Sequence, residues 1–509
     1  MVPWCAAVIT PICRRVNWLN KLIGLALGAL AVLAFAPVGW YWLMPLSLAG
    51  LLVLLHEKIP RQGFMLGWWF GLGLFGAGVS WVYVSLTVYG GMPDWLGALA
   101  TLLFCGFLAL FPALAGWLAV RLSASERTRA LLVFPAAWTA LEWTRGWLFT
   151  GFPWLVSGYT QVPDAPLSGY APVFGVYGVS WLTALCAGAL VWLWRDIWLP
   201  GRWLMPFVLL AGVLGVGEAL KQIDWTRATG DVVEVALLQG NVAQEMKWRP
   251  EKAAQTLLDY ADQIVEAAEP QSGSAKKAQL IVLPETSFPR FYDDLPIAYR
   301  NALRAYARDR GADILFGVPT GDIDGRYYNS VASLGASPTQ FYHKQHLVVF
   351  GEFVPPGFEW IVNVLNIPLS DFARGHKNQP ALNVGGEKVA VNICYEDVFG
   401  EEIIRALPDA TLLVNVSNLA WFGESFASRQ HAQMSQMRAL ETGRYMLRAT
   451  NTGVTAIIDQ KGRMVASLPE FKRTILRGQA HGYTGTTPYA RWGNWPVVLL
   501  MLTLLGWFG

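Results

Sequence analysis

The sequence predicts a multi-span α-helical membrane domain joined to an extracytoplasmic α/β domain. Three observations carry that prediction. The chain has 509 residues, of which 54% are hydrophobic and only 15% charged, with a mean hydropathy of +0.34; soluble domains carry roughly a quarter charged residues. The charge deficit lies almost wholly before residue 222 and after residue 490. Between those limits, residues 230–480 change to short β-rich runs alternating with amphipathic helical patterns. The net charge of +3 offers no electrostatic footprint for nucleic acid.

Seven apolar runs before residue 220 approach or exceed the length needed to cross a bilayer, about 20 residues: 21–37, 39–55, 64–87, 96–120, 131–149, 174–194 and 203–219. A shorter eighth run, 495–508, closes the chain. Many of the 25 tryptophans fall near run ends, as an interfacial belt requires. The first run is not read as a cleaved signal peptide, because another run follows within a few residues and no clear processing site intervenes. The expected division is a membrane domain over 1–220, a second domain over 221–484 and a C-terminal transmembrane helix over 485–509.

Loop charge sets the expected orientation. Arg14, Arg15 and Lys21 precede or open the first run; Lys58 and Arg61, then Arg121, Arg127 and Arg129, then Arg195 and Arg202 occupy alternate loops. The intervening loops 88–94 and 151–173 hold no Lys or Arg. Positive loops stay cytoplasmic, so both termini are expected in the cytoplasm and residues 221–490 outside it. Of five cysteines, Cys5 and Cys13 then lie on or near the cytoplasmic side, Cys105 and Cys186 within spans, and Cys394 alone outside. A lone thiol in an oxidising compartment is either fully buried or needed as a thiol.

Glu142 and Arg145 are ionisable groups inside a span, at i and i+3 on one helix face, where they can pair with each other. They read either as a functional pair or as a structural one near the interface. No regular repeat or matched pair of broken helices marks a secondary transporter.

In the second domain, 232–238, 280–283, 313–318, 327–334, 340–343, 389–393, 411–416, 446–449 and 454–458 read as strands, and 251–268 and 425–441 as helices. Three strands end on chemistry. Leu280-Ile-Val-Leu-Pro-Glu-Thr-Ser287 delivers Glu285, a carboxylate whose emergence from an apolar strand should raise its pKa toward that of a general base. Phe341-Tyr-His-Lys344 delivers Lys344, and Lys388-Val-Ala-Val-Asn-Ile-Cys394 delivers Cys394. The run 398–407 looks like a helix start, and a helix N-terminus near the thiol would favour the thiolate. Carboxylate, ammonium and thiol make a base, an oxyanion stabiliser and a nucleophile. Against that stand a capping Glu285, a solvated Lys344, a Cys394 that is one more small hydrophobe, and a thiol–histidine arrangement using His343, His346 or His431.

Leu283-Pro-Glu-Thr286, Tyr342-His-Lys-Gln-His-Leu347 and Ile393-Cys-Tyr-Glu396 resemble the Glu, Lys and Cys motifs of the nitrilase (carbon–nitrogen hydrolase) superfamily. Gly151-Phe-Pro-Trp154, Phe350-Gly-Glu-Phe-Val-Pro355, Ala420-Trp-Phe-Gly423, Met437-Arg-Ala-Leu-Glu-Thr-Gly-Arg444, Leu447-Arg-Ala-Thr-Asn-Thr-Gly453 and Thr487-Pro-Tyr-Ala-Arg491 resemble the apolipoprotein N-acyltransferase family within it. The resemblance covers nearly the whole chain. It implies a nitrilase-like αββα sandwich, with Glu285 as general base, Cys394 as nucleophile and Lys344 as oxyanion stabiliser. It implies supporting or substrate-binding roles for Glu352, Tyr395, Glu396 and Trp248, the last on a mobile loop. It implies acyl transfer from a phospholipid donor in the bilayer, through a Cys thioester, to the α-amine of a diacylglyceryl apolipoprotein, needing no metal or cofactor. The setting it implies is the bacterial inner membrane, with the catalytic domain periplasmic. Where the family usually has Asp, this chain has Leu419, which puts a loop hydrogen bond in doubt. The alternatives are a membrane-tethered amidase or nitrilase hydrolysing a C–N bond, and a transporter or receptor carrying an inactive hydrolase-like domain.

Overall fold

The computed structural model describes residues 16–123, 125–244, 250–270, 277–354 and 371–509. Cys5, Cys13, Arg14 and Arg15 lie outside them. The chain divides into two compact units, one of residues 1–83, 94–223 and 492–509, the other of 84–93 and 224–491.

The first unit is helical: α1 Trp18–Ala31, α2 Leu43–Leu54, α3 Pro60–Gly78, α4 Asp94–Leu108, α5 Leu110–Leu122, α6 Phe134–Arg145, α7 Ala171–Asp196 and α8 Leu204–Leu220. Among the described residues, Asp94–Leu122 and Pro166–Asp196 are long and apolar enough to cross a membrane. Pro60–Gly78 and Val82–Tyr89 together pass the same test but are bent by 57° at their break. The other apolar helices of the unit are shorter, α1, α2 and α8 among them.

Small residues let these helices touch backbone to backbone, the usual solution where no water drives association. A methyl group on Gly28 of α1 would lie 1.9 Å from the Phe70 carbonyl of α3, and one on Gly63 of α3 2.5 Å from the Gly116 carbonyl of α5. Outward positions remain apolar: Leu102 and Leu103 on α4 and Met205, Phe207 and Val208 on α8 are exposed. Glu142 and Arg145, read as able to pair, each brace the loop that follows α6. Glu142 accepts hydrogen bonds from the Ser157 N–H (2.8 Å) and hydroxyl (3.1 Å). Arg145 donates to the carbonyls of Phe152 (2.5 Å) and Trp154 (2.6 Å).

The second unit stacks two six-stranded sheets. In chain order its elements are β1 Thr226–Gln239, α9 Pro250–Ala268, β2 Leu280–Val282, α10 Ile297–Asp309, β3 Asp313–Gly321, β4 Tyr327–Gly335, β5 Phe341–His343, β6 Leu382–Val384, β7 Glu387–Ile393, β8 Leu412–Ser417, α11 Ala427–Thr442, β9 Met446–Thr450, β10 Ala456–Ile458, β11 Met464–Ser467 and β12 Thr474–Gly485. One sheet runs β12-β1-β2-β3-β4-β5 and the other β11-β10-β9-β8-β7-β6. In each, a parallel trio forms the middle, β1-β2-β3 and β7-β8-β9, and the remaining pairings are antiparallel. The chain then closes with α12, Trp495–Phe508, in the first unit.

Strand alternation explains the layering, since successive side chains face opposite sides. Val235, Leu237, Val282 and Leu315 of the first sheet and Val391, Ile393, Val414, Val416 and Leu447 of the second form one buried core between the sheets. Ala236, Ile281, Ile314 and Phe316 point the other way, against α9 and α10. Ala390, Leu413 and Met446 do the same on the second sheet, toward Ala439 of α11 and Ile403. The result is the helix–sheet–sheet–helix sandwich that the resemblance implies.

The helix start expected over 398–407 forms but stays short: after a 3-10 turn over Cys394–Val398, an α-helical turn at Gly400–Ile403 runs directly into a 3-10 turn at Ile404–Ala406, and Pro408 disfavours helix in the residue before it.

Candidate active site

Three strand ends of the second unit converge. β2 runs into Pro284-Glu285, and this segment lies against Gly317 of β3. A side chain at Gly317 would clash with the Thr286 nitrogen at 2.3 Å and the Glu285 Cα at 2.7 Å. The Gly317 N–H donates to the Pro284 carbonyl (3.2 Å), and the Leu283 N–H to the Leu315 carbonyl (2.8 Å). These contacts fix the backbone that carries Glu285, whose side chain is buried. Its Oε1 accepts from Asn329 Nδ2 (2.8 Å) and its Oε2 from the Asn418 N–H (2.8 Å).

Lys344 follows β5, its N–H bonded to the Asn329 carbonyl at 2.8 Å. The expectation that leaves it on the surface fails, for the residue is 1% exposed. Its Nζ lies 2.8 Å from Glu352 Oε1 and 3.5 Å from Glu285 Oε1. Burial pulls its ammonium down, and the Glu352 and Glu285 carboxylates more than reverse that, holding it above the usual lysine range. Glu352 also accepts from Asn329 Nδ2 (2.9 Å) and the Val348 N–H (2.9 Å). One amide thus bridges two carboxylates, with the lysine between them.

Cys394 ends β7 in the left-handed region, with φ of 53°, a conformation costing a residue with a Cβ about 1–2 kcal/mol. It is half-buried, yet its surroundings push the thiol well above its ordinary range. Burial is the largest cause, the Glu285 charge adds to it, and Lys344 opposes it. This departs from the thiolate expected beside a helix N-terminus, because burial outweighs what favours the charge.

The other expected residues take distinct places. Glu396 is buried and joins the two loops: its Oε1 accepts from the N–H groups of Gln345 (2.6 Å) and His346 (3.1 Å), its Oε2 from the Ile393 N–H (2.7 Å) and the Tyr342 hydroxyl (3.0 Å). Burial pushes it up to about 7 against those donors. Tyr395 packs edge-on against Phe399 at 5.2 Å. Trp248 lies outside the described residues. Leu419 is buried and lies beneath Gly453, and the neighbouring Asn418 N–H supplies the bond to Glu285. The histidines have other partners: His343 Nδ1 meets Ser330 Oγ at 2.8 Å, His346 Nδ1 meets Glu402 at 3.2 Å, and His431 Nε2 bonds Asp397.

Asn329, Asn418 and Tyr342 were not anticipated. Each lies in or just after a strand, and its partners are 23 to 133 residues distant in sequence. Among the described residues no cluster of His, Cys, Asp and Glu could hold a metal ion.

The family model for the apolipoprotein N-acyltransferase N-terminal domain matches residues 27–189, and that for carbon–nitrogen hydrolase matches 234–489. The apolipoprotein N-acyltransferase of Nitrosomonas europaea is 50% identical over 499 residues, covering 96% of this chain and 97% of its own. That of Methylococcus capsulatus is 48% identical over 491 residues, covering 95% of each. A nitrilase-superfamily amidase from Nesterenkonia AN1 aligns in structure with 51% of this chain and 93% of its own, at 20% identity and a TM-score of 0.38. On the extent and identity of the two sequence matches, the chain belongs to the apolipoprotein N-acyltransferase family of the carbon–nitrogen hydrolase superfamily.

Proposed function

We propose that this N-acyltransferase works in two steps at Cys394. Glu285 takes the Sγ proton as sulfur attacks an ester carbonyl of a phospholipid, forming the S–C bond. Lys344 and a backbone N–H after Cys394 hold the oxyanion. The ester C–O bond breaks, Glu285 returns its proton to the leaving oxygen, and a lysophospholipid departs from an acyl-Cys394 thioester. The α-amine of an apolipoprotein diacylglyceryl-cysteine then attacks that thioester. A C–N bond forms, the C–S bond breaks, and the amine proton passes through Glu285 back to the thiol.

The observation that carries this reading is the meeting of Lys344 Nζ with Glu285 and Glu352 at the end of the strand that presents Cys394. A thiol with a raised pKa is a poor nucleophile until a base acts, and of the two carboxylates whose charge is felt there, Glu285 acts more strongly than Glu352. Glu352, Tyr395 and Glu396 hold the surrounding loops, and Trp248 contacts substrate. The amidase alternative shares the triad and the superfamily, but leaves the N-terminal half without a role.

The membrane placement extends the reading. The two span-length helices, the bent pair and the four shorter apolar helices account for seven of the eight crossings this reading takes, with α6 as the other, and both termini are then cytoplasmic, as the Lys/Arg asymmetry favours. The second unit is then periplasmic, beside the leaflet that supplies its acyl donor. Incubation of the purified chain with phospholipid alone, followed by mass spectrometry, tests the chemistry. An acyl adduct on Cys394 that neutral hydroxylamine removes is expected, absent in Cys394→Ala. An adduct that survives in Cys394→Ala, or lysophospholipid released only when apolipoprotein is present, refutes the mechanism.

A further inference from the structure

The second sheet carries an in-register polar row that the mechanism above does not use. Asn392 on β7 pairs with Asn415 on β8, which pairs with Arg448 on β9. One step earlier along the same face the row is Ala390, Leu413 and Met446, packed in the apolar layer under α11. Apolar side chains there would complete that layer, yet all three residues of the next row are polar and buried, with Arg448 fully so. Burying a guanidinium is costly unless its partners are well placed, so what it holds is informative.

Arg448 Nη1 donates to Asn415 Oδ1 (2.8 Å), Asp397 Oδ2 (3.0 Å) and Ser435 Oγ (2.9 Å). Its Nη2 meets His431 Nδ1 at 3.0 Å. Ser417 Oγ donates to the same Asn415 oxygen at 2.6 Å. With two donors on Oδ1, the Asn415 amide can face only one way. Its Nδ2 therefore points at the Cys394 carbonyl (3.1 Å) and at Asn392 Oδ1 (2.6 Å). Asp397, three residues beyond Cys394 in the same 3-10 turn, is gripped by Arg448, His431 and Ser435 together. Both ends of the turn that bends Cys394 into the left-handed region are thus tied to one cation.

We propose that Arg448, acting through Asn415 and Asp397, is a positioning residue that holds the Cys394 turn so that the thiol meets Glu285 and Lys344 in attack geometry. The group touches neither substrate nor thiol, and its effect is exerted through the carbonyl of the nucleophile and the far end of its turn. The inference rests on the acyl-transfer reading.

The test uses the full-length chain in detergent with mixed micelles of phosphatidylethanolamine and phosphatidylglycerol. Arg448→Met removes the cation. Asn415→Asp is the variant that keeps the question answerable if Arg448→Met does not fold: it retains an acceptor for Arg448 and replaces the donor to the Cys394 carbonyl with a repelling oxygen. Two rates are read. Single-turnover release of lysophospholipid needs the thiol aligned with base and oxyanion site; alkylation of Cys394 by iodoacetamide needs no oxyanion site. Lysophospholipid release is expected to fall about 10²-fold, the scale of a misplacement near 1 Å, while alkylation stays within about threefold. The phospholipid KM and the thermal midpoint of Asn415→Asp are expected to be unchanged. Near wild-type release from folded Asn415→Asp overturns the inference. So does a parallel fall of release, alkylation and thermal midpoint, which marks a merely structural role. If the unsubstituted chain releases no lysophospholipid, the acyl-transfer reading fails and the inference falls with it.

Discussion

Glu396 sets two properties against each other across neutral pH. Its folded pKa of about 7 lies above an ordinary value of 4.5 because burial disfavours the charge. The folded chain therefore binds this proton more tightly than the unfolded chain does. Stability contributed by that proton is fully present below about 4.5 and is lost as pH rises through 7. The difference corresponds to about 3 kcal/mol at 1.36 kcal/mol per unit, or about 6–12 °C in thermal midpoint for a unit of this size. All four contacts to its oxygens come from N–H or O–H donors, so the tie between the Lys344 loop and the Cys394 turn requires the anion. Stability should fall, and acylation rise, as pH goes from 5 to 8. Glu396→Gln removes the titration and sets an NH₂ against some of those donors. The assay compares thermal midpoints and single-turnover acylation of the two chains at half-unit intervals. The wild-type-minus-variant midpoint difference should decline across the range, and the variant's acylation should show a lower plateau without the limb near 7. Parallel pH profiles in both measurements would refute the reasoning.

Lys344→Met should slow acyl transfer by about 10²–10³, the loss expected for one oxyanion donor, measured as kcat with phospholipid and a diacylglyceryl peptide; turnover within tenfold of wild type would remove Lys344 from that role. The same variant leaves Glu285 and Glu352 buried without their cation and should lose about 3–5 kcal/mol of stability, read by thermal unfolding. Asn329→Leu deprives both carboxylates of a shared donor, at about 1–3 kcal/mol, and a midpoint equal to wild type would contradict the bridging geometry. Glu57→Cys and Asp94→Cys test orientation with a membrane-impermeant maleimide on whole cells. Only the second should react, and reaction of the first alone would invert the topology.

That Glu285, Lys344 and Cys394 each follow a strand was readable, because short β-rich runs precede them in sequence. What escaped reading depended on distant partners. Asn329 and Asn415 are ordinary polar residues within strands, and nothing nearby in sequence says that one bridges two carboxylates and the other faces the Cys394 carbonyl. Helix α11 was placed within two residues, but its burial was not foreseen. Residues 430–442 are all buried although most are polar, because the sheet supplies partners for Ser435 and His431. β12 was missed because glycine and charge interrupt its pattern, and its place comes from a long antiparallel register with β1. The run 398–407 starts a helix as its composition suggests, but the turn at Cys394 and Pro408 confine it to Gly400–Ala406.

The segment 84–93 has a consequence for anyone dividing this chain. It emerges between α3 and α4, yet it clusters with the sandwich. Ser85 Oγ donates to the Trp421 carbonyl at 2.7 Å, and Tyr89 meets the Trp421 ring edge-on at 6.0 Å. Trp421 lies three residues beyond Asn418, whose N–H holds Glu285. A fragment cut at Asp224, however soluble, is missing a piece of itself, and supplying residues 84–93 as a separate peptide should restore order to the Asn418–Trp421 loop. The boundary between anchor and enzyme is therefore not a point on the sequence that a protease or a cloning primer can find.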